Sequence, residues 1–235
     1  MQSTFFTILM SLLFFNTNGQ NSFVGYRYGI VDYSALNKTI EEAGFGQFDN
    51  DIMQFSFGSS KRTKKTSIGV EFYYGLNKKN ELDGGNISKL SASGILVNTR
   101  TALNKSKKSI ISIVFNFGYQ RSNLLFYNKN TVKDLGSILG NTNVVVKSFK
   151  KNELVGQLGL GYDYVSESGF GFGLDAGYQA GYGEWKYLNL VNPEFPKSPF
   201  GHLYAGLKLY FGKKKKKLPE ILPSDEPTGP MTFVQ

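Results

Sequence analysis

The sequence predicts an all-β chain, an eight-stranded antiparallel up-and-down transmembrane β-barrel with a short helix in its first long loop. Three observations predict it. Large apolar residues recur at every second position through most of eight segments, which is strand periodicity and not helix periodicity. The connections between those segments alternate long and short. The 235 residues include 27 Gly and 15% aromatic residues, a composition that suits crowded strands better than a helical bundle.

The first strand, Phe23 to Tyr33, sets Val24, Tyr26, Tyr28 and Ile30 against Gly25, Arg27 and Gly29. The second, Asp51 to Ser59, sets Met53, Phe55 and Phe57 against Gln54, Ser56 and Gly58. The third, Thr66 to Leu76, alternates Ile68, Val70, Phe72 and Tyr74 with Gly69, Glu71 and Gly75. The fourth, Lys89 to Leu103, carries apolar and polar residues in both registers. The fifth, Ser109 to Arg121, presents Ile111, Ile113, Phe115, Phe117 and Tyr119 opposite Ser112, Asn116, Gly118 and Gln120. The sixth, Phe149 to Val165, sets Leu154, Leu158, Leu160, Tyr162 and Tyr164 against Gln157, Gly159, Gly161 and Asp163. The seventh, Gly169 to Tyr182, sets Phe170, Phe172, Leu174, Tyr178 and Tyr182 against Gly, Asp175 and Gln179. The eighth, Phe200 to Phe211, alternates Leu203, Ala205, Leu207, Leu209 and Phe211 with His202, Tyr204, Gly206, Lys208 and Tyr210. Most are long enough to span a bilayer, which takes roughly 9–11 tilted residues.

The periodicity defines two faces without saying which is outside. With the large face inward, the chain reads as a secreted soluble lipocalin-like carrier of a hydrophobic ligand. With it outward, the chain is a membrane barrel. Three features favour the membrane: Phe and Tyr would overfill an interior, the outer face would otherwise be largely Gly, and aromatics gather near strand ends as interfacial girdles do.

Residues 1–19 read as a signal peptide, with an apolar stretch from Phe5 to Phe15 too short for a transmembrane helix and Thr17 and Gly19 before a cleavage site. Residues 20–212 form the barrel domain, and residues 213–235 a Lys/Pro-rich periplasmic tail read as disordered. In the first long loop, Ser34 is placed to cap a short helix that Gly44 ends, with Leu36 and Ile40 on one face.

Charge sorts with the connections. Nearly the whole formal +9 sits at the short-turn end, on Lys61, Arg62, Lys64, Lys65, Lys105, Lys107, Lys108 and the run Lys213, Lys214, Lys215, Lys216 and Lys217, while the long loops sum to about zero. This basic rim is placed to meet anionic lipid or cell wall. The lysines flank turns and a tail of a secreted chain, so nucleic acid is not expected as a partner despite a pI of about 9.4.

With the large faces outward, Arg27, Glu71, Asp163, Asp175, His202 and Lys208 face a narrow lumen, where such charges must pair or be hydrated. A polar plug is therefore expected, with a narrow porin as the alternative. The chain has no Cys and one His, which removes thiol catalysis and Cys-ligated zinc; no cofactor, metal site or catalytic residue is assigned. The glycines from Gly169 to Gly173 form a strand, not a phosphate-binding turn.

The signal-like N-terminus, the eight amphipathic strands and the closing Tyr204, Gly206, Leu209 and Phe211 resemble the small outer-membrane β-barrels typified by OmpA and OmpX, over roughly residues 21–212. The resemblance implies the outer membrane of a Gram-negative bacterium, a cell-envelope role, outer-membrane lipid and the barrel-assembly machinery as partners, and a monomer. It also implies that Tyr204, Gly206, Leu209 and Phe211 act as the assembly signal. Here residues 213–235 follow that signal, a departure from barrels that end on it. Some such barrels modify lipids, but a lipid A deacylase carries His-x-Ser where this chain has His202 and Tyr204. The expectation is therefore a non-enzymatic barrel serving envelope integrity, adhesion or binding of an unidentified extracellular partner, with specificity in its long loops, above all Ser122 to Ser148.

Overall fold

The computed structural model describes residues 20–63, 65–77, 80–81, 85–104, 106, 108–128, 147–166, 169–187, 190–191 and 201–212. The strands are β1 (Gln20–Ile30), β2 (Asp51–Arg62), β3 (Thr66–Leu76), β4 (Asn80–Glu81), β5 (Asn86–Ala102), β6 (Ser109–Asn128), β7 (Lys147–Val165), β8 (Phe170–Tyr187), β9 (Leu190–Val191) and β10 (Gly201–Gly212), with α1 (Ser34–Glu42) between β1 and β2. Strands β1, β2, β3, β5, β6, β7, β8 and β10 pair antiparallel in that order, and β10 pairs back to β1. They form a closed eight-stranded up-and-down barrel. The two-residue strands β4 and β9 flank it, on β5 and β8 respectively.

Register fixes its proportions. From Gln20 the partners run through Lys61, Ile68, Thr99, Phe115, Leu158, Tyr178 and Leu203 and return to β1 at Ile30. The circuit climbs about ten residues, so with ordinary strand rise and spacing the strands tilt about 41° and each residue rises about 2.5 Å along the barrel axis. On that scale the strand ends at the short-turn end are level to about one residue.

The other end is stepped. Strands β1, β2, β3 and β10 have 11, 12, 11 and 12 residues, whereas β5, β6, β7 and β8 have 17, 20, 19 and 18. The short strands span about 27 Å of axis and the long ones rise about 16 Å further as a four-stranded sheet. Over the shared height the outward face is apolar. Phe55, Phe115, Leu158, Leu174 and Leu207 are exposed there, with Tyr26, Tyr28, Tyr74, Tyr119 and Tyr178 toward the stepped end and Tyr164, Phe170, Phe172 and Phe211 toward the flush end.

Above that belt the two faces exchange character. The outward positions of the projecting sheet become mostly polar, with Lys89, Arg121, Asn123, Lys150, Asn152, Glu184 and Lys186 and with Leu125 and Tyr127 as apolar exceptions near the tip of β6, while Leu90, Ala92, Leu124, Phe126 and Trp185 point inward and are buried. The β1–β2 connection covers this inner face. Its Val31, Tyr33, Leu36, Ile40 and Phe48 form one cluster with Ile52 and the inward residues of the sheet, and Phe45 and Phe149 pack against it.

Local sequence explains that cap. Strand β1 stops at Ile30, three residues short of the Tyr33 expected from alternation, because Val31 and Tyr33 turn into the cluster. Ser34 is the first residue of the helix and Tyr33 its N-cap, with no side-chain cap; the Ser34 N–H, free within the helix, donates instead to Asp32 Oδ1 at 2.9 Å. Gly44, at φ +78°, ends it: its N–H donates to the Glu41 carbonyl and the Phe45 N–H to the Ile40 carbonyl, a Schellman closure that favours glycine. The projecting sheet then ties the loop down, with Asn86 donating to the Gly44 carbonyl at 2.9 Å and Ser88 to the Gly46 carbonyl at 2.6 Å. Asn77, after β3, donates to the backbone carbonyls of Asp49 and Asp51.

At the flush end the turns are short. Gly169, at φ +88°, accepts the Gly212 N–H at 2.8 Å, and a Cβ there would lie 2.4 Å from the Gly212 carbonyl oxygen. Only glycine fits that contact without movement of the backbone.

Candidate functional site

Buried polar side chains cross the barrel interior in layers. Nearest the flush end, a continuous string of ion pairs crosses it. Arg27 contacts Glu71 at 3.1 Å, Lys208 contacts Glu71 at 2.8 Å and Asp175 at 3.5 Å, and Arg100 contacts Asp175 at 2.6 Å and Asp163 at 2.8 Å. The Tyr210 hydroxyl donates to Asp163 at 2.8 Å. These seven side chains come from β1, β3, β5, β7, β8 and β10, so the string ties together strands distant in sequence. The Arg27 guanidinium also lies 5.0 Å from the Tyr204 ring centroid and the Lys208 ammonium 4.6 Å from that of Phe23, contacts that partly offset desolvation.

Above it lies a layer of amides. Asn116 donates to Gln157 at 2.8 Å, Gln157 to Gln179 at 2.6 Å, and Gln179 to Gln120 at 3.3 Å. Tyr73 donates to Gln120, and Gln120 to Glu153, each at 2.6 Å. Lys151 pairs with Glu153 at 2.5 Å. Between this layer and the apolar cap is a cavity of about 70 Å³, with Gln54, Gln120, Lys151, Glu153 and His202 on its polar side and Val31, Tyr33, Leu90 and Trp185 on its apolar side. A second cavity of about 40 Å³ opens toward the flush end, lined by Arg62, Lys65, Arg100, Asp163 and Tyr210 among others. Each holds a few waters at most.

Five of the six lumen residues expected from sequence, Arg27, Glu71, Asp163, Asp175 and Lys208, meet in the ion-pair string. His202 also turns inward but stands apart, its Nε2 buried without a hydrogen-bond partner among the described residues. No serine or carboxylate engages it there. The sequence reading missed Arg100, which holds Asp163 and Asp175 together. A signal for it existed: three lumen acids faced two permanent cations, so one cation was missing. With Lys151 and Glu153, the buried interior holds Arg27, Arg100, Lys151 and Lys208 against Glu71, Glu153, Asp163 and Asp175, and its charge balances.

The remaining expected residues sort by position. Lys61, Lys65 and Lys108 are exposed at the flush end and Arg62 is half-buried beside its cavity. Lys64, Lys105, Lys107 and Lys213 to Lys217 lie outside the described residues, as do residues 1–19, the tail and most of Ser122 to Ser148. Tyr204 and Gly206 share the inward face of β10, while Leu209 and Phe211 share its outward face. Among the described residues no cluster of His, Asp and Glu could hold a metal ion.

Outside the belt, the Asp32 carboxyl is held below its ordinary pKa by the hydrogen bonds it accepts from Ser34, and burial in the cap pushes the Tyr33 hydroxyl well above its own.

No protein-family model matches the chain, and no curated protein matches it. Among solved structures it is similar to Ail, the attachment invasion locus protein of Yersinia pestis, at 14% identity over 83% of this chain and 100% of that one, with a TM-score of 0.49. It is also similar to neisserial surface protein A (NspA), at 14% identity over 83% of this chain and 98% of that one, with a TM-score of 0.46. The chain's own strand register defines what it is in architecture: a small closed eight-stranded antiparallel β-barrel with a polar interior and an apolar outer belt.

Proposed function

We propose that this chain is a non-enzymatic outer-membrane β-barrel whose filled lumen closes the wall and whose head, made of the cap, the projecting sheet and the long loops, serves envelope integrity, adhesion or binding of an external partner. One observation carries the reading. The outward face is apolar for about 27 Å and turns polar where the short strands end, matching the roughly 25 Å apolar band of outer-membrane barrels. A water-soluble protein rarely exposes an apolar patch beyond a few hundred Å², and here the belt encircles the molecule.

The same facts weigh against the other readings. A lipocalin-like carrier needs an apolar interior with room for a ligand, typically 300–1,000 Å³, whereas this interior is polar and its cavities hold a few waters. A porin needs an open path, and the ion-pair and amide layers cross this one. A barrel hydrolase needs a nucleophile beside His202. In this reading residues 1–19 are the export signal, and Tyr204, Gly206, Leu209 and Phe211 are read by the barrel-assembly machinery. The basic rim faces the periplasm, toward anionic lipid or cell wall, and residues 213–235 extend there.

Fractionation tests it. The chain leaves membranes only with detergent and migrates differently on a gel before and after heating. Because the natural sequence has no Cys, a single Lys38→Cys variant in α1 reports topology: an impermeant maleimide labels it on intact cells. Recovery as a soluble protein, or labelling only after lysis, refutes the proposal.

A further inference from the structure

The outward face of the projecting sheet carries a charge cluster that neither the interior nor the cap uses. Lys150 on β7 stands directly opposite Lys186 on β8. It also stands opposite Asn123 on β6, two residues from Arg121. Directly opposed residues have Cβ atoms about 5 Å apart and diagonal neighbours about 7–8 Å, distances at which like charges destabilise a sheet. All three cations are exposed, and among the described residues none forms an ion pair. Lys89 on β5 adds a further exposed cation, and Glu184 is the one acid on this face among the described residues.

Position narrows the counter-charge. Arg121 follows Tyr119, the last aromatic of the belt on β6, by two residues. At about 2.5 Å per residue the cluster begins about 5 Å above the belt and ends about 16 Å above it, and lysine and arginine stems can reach back several ångströms. Headgroup layers extend roughly 5–8 Å beyond the hydrocarbon core, so Arg121 stands within that layer and Lys150 and Lys186 reach down toward it, on strands whose lower outward residues form the apolar belt. We propose that Arg121, Lys150 and Lys186 form a docking surface for the phosphate groups of lipid headgroups in the leaflet on the long-loop side. This rests on the membrane reading above. Headgroup phosphate relieves the opposed like charges, and a lipid in contact with the belt presents it at the right height.

The test compares the full chain with an Arg121→Gln, Lys150→Gln, Lys186→Gln variant, both refolded into phosphatidylcholine nanodiscs, with insertion read separately from the heat-dependent gel shift. Binding of fluorescent bisphosphorylated lipid A is measured against its dephosphorylated form. Each basic residue near an anionic surface contributes roughly five-fold in affinity, so the preference of the parent chain for the phosphorylated lipid falls by about 100-fold in the triple variant. It persists in a Lys38→Gln control, which removes an exposed cation of α1 outside the cluster, and inorganic phosphate does not compete. Equal binding of both lipids by the inserted parent chain, an unchanged preference in the triple variant, or full competition by inorganic phosphate overturns the inference. A chain that does not insert overturns the membrane reading and the inference with it.

Discussion

Replacing Arg100 with Met tests the interior most severely. Its guanidinium is buried and bridges Asp175 at 2.6 Å and Asp163 at 2.8 Å, so Arg100→Met keeps much of the side-chain volume and leaves two buried carboxylates short of a counter-charge. Asp163 keeps the Tyr210 hydroxyl at 2.8 Å, and Asp175 keeps Lys208 only at 3.5 Å. Removing one partner of a buried ion pair typically costs about 3–5 kcal/mol, and Asp175, left with the longer contact, dominates that cost. Reversible urea unfolding in lipid vesicles reads it directly. Adding Asp175→Asn recovers part of the loss, because one stranded charge goes with its partner, and the double-mutant cycle isolates a coupling of about 1–3 kcal/mol. A single-variant loss below about 1 kcal/mol, or strict additivity, would mean that Arg100 reaches water and that the inner face of β5 is misassigned.

The cap and the lumen carry further expectations. Ile40→Asp places a charge in the apolar cluster, so the emission of Trp185, the only Trp and a member of that cluster, moves to the red while the heat-dependent gel shift of the barrel persists; loss of both together contradicts a cap that is separable from the barrel. The carboxyl of Asp32, lowered by its bonds from Ser34, stabilises the start of α1 fully above the ordinary carboxylate pKa and loses that contribution as pH falls through the lowered one. Proteolysis of the β1–β2 loop therefore accelerates in acid for the parent chain and less so for Asp32→Asn; identical pH profiles would remove Asp32 from the cap. In planar bilayers the parent chain gives no large stable conductance, and a steady open level of nanosiemens size would contradict a filled lumen.

Most of the barrel was legible because β1, β2, β3, β8 and β10 keep one phase of alternation through the apolar belt. What stayed hidden follows from the exchange of faces above it. In β5 the inward positions run from Leu90 and Ala92 near the cap to Asn98 and Arg100 near the flush end, so both registers look mixed and Arg100 escapes notice. In β6 the pattern reads as ending at Arg121, although the strand continues to Asn128 with Leu124 and Phe126 turned inward. Tyr33 misled for a related reason: its alternation with Val31 continues that of β1, yet both side chains serve the cap. The amide layer was legible only as a set of polar-face positions: Asn116, Gln120, Gln157 and Gln179 fall opposite the large faces, but only closure shows which of them bond to one another.

The central claim is that one set of strands exchanges its apolar face at the height where β1, β2, β3 and β10 end. Single-Cys variants in this Cys-free chain, labelled with a fluorophore and quenched either by brominated lipid or by aqueous iodide, measure it directly. Positions 117, 158 and 178 are expected to be quenched by lipid and not by iodide, positions 123, 152 and 184 by iodide and not by lipid, and position 124 by neither. Lipid quenching at 123 and 152, or iodide quenching at 117 and 158, would contradict it.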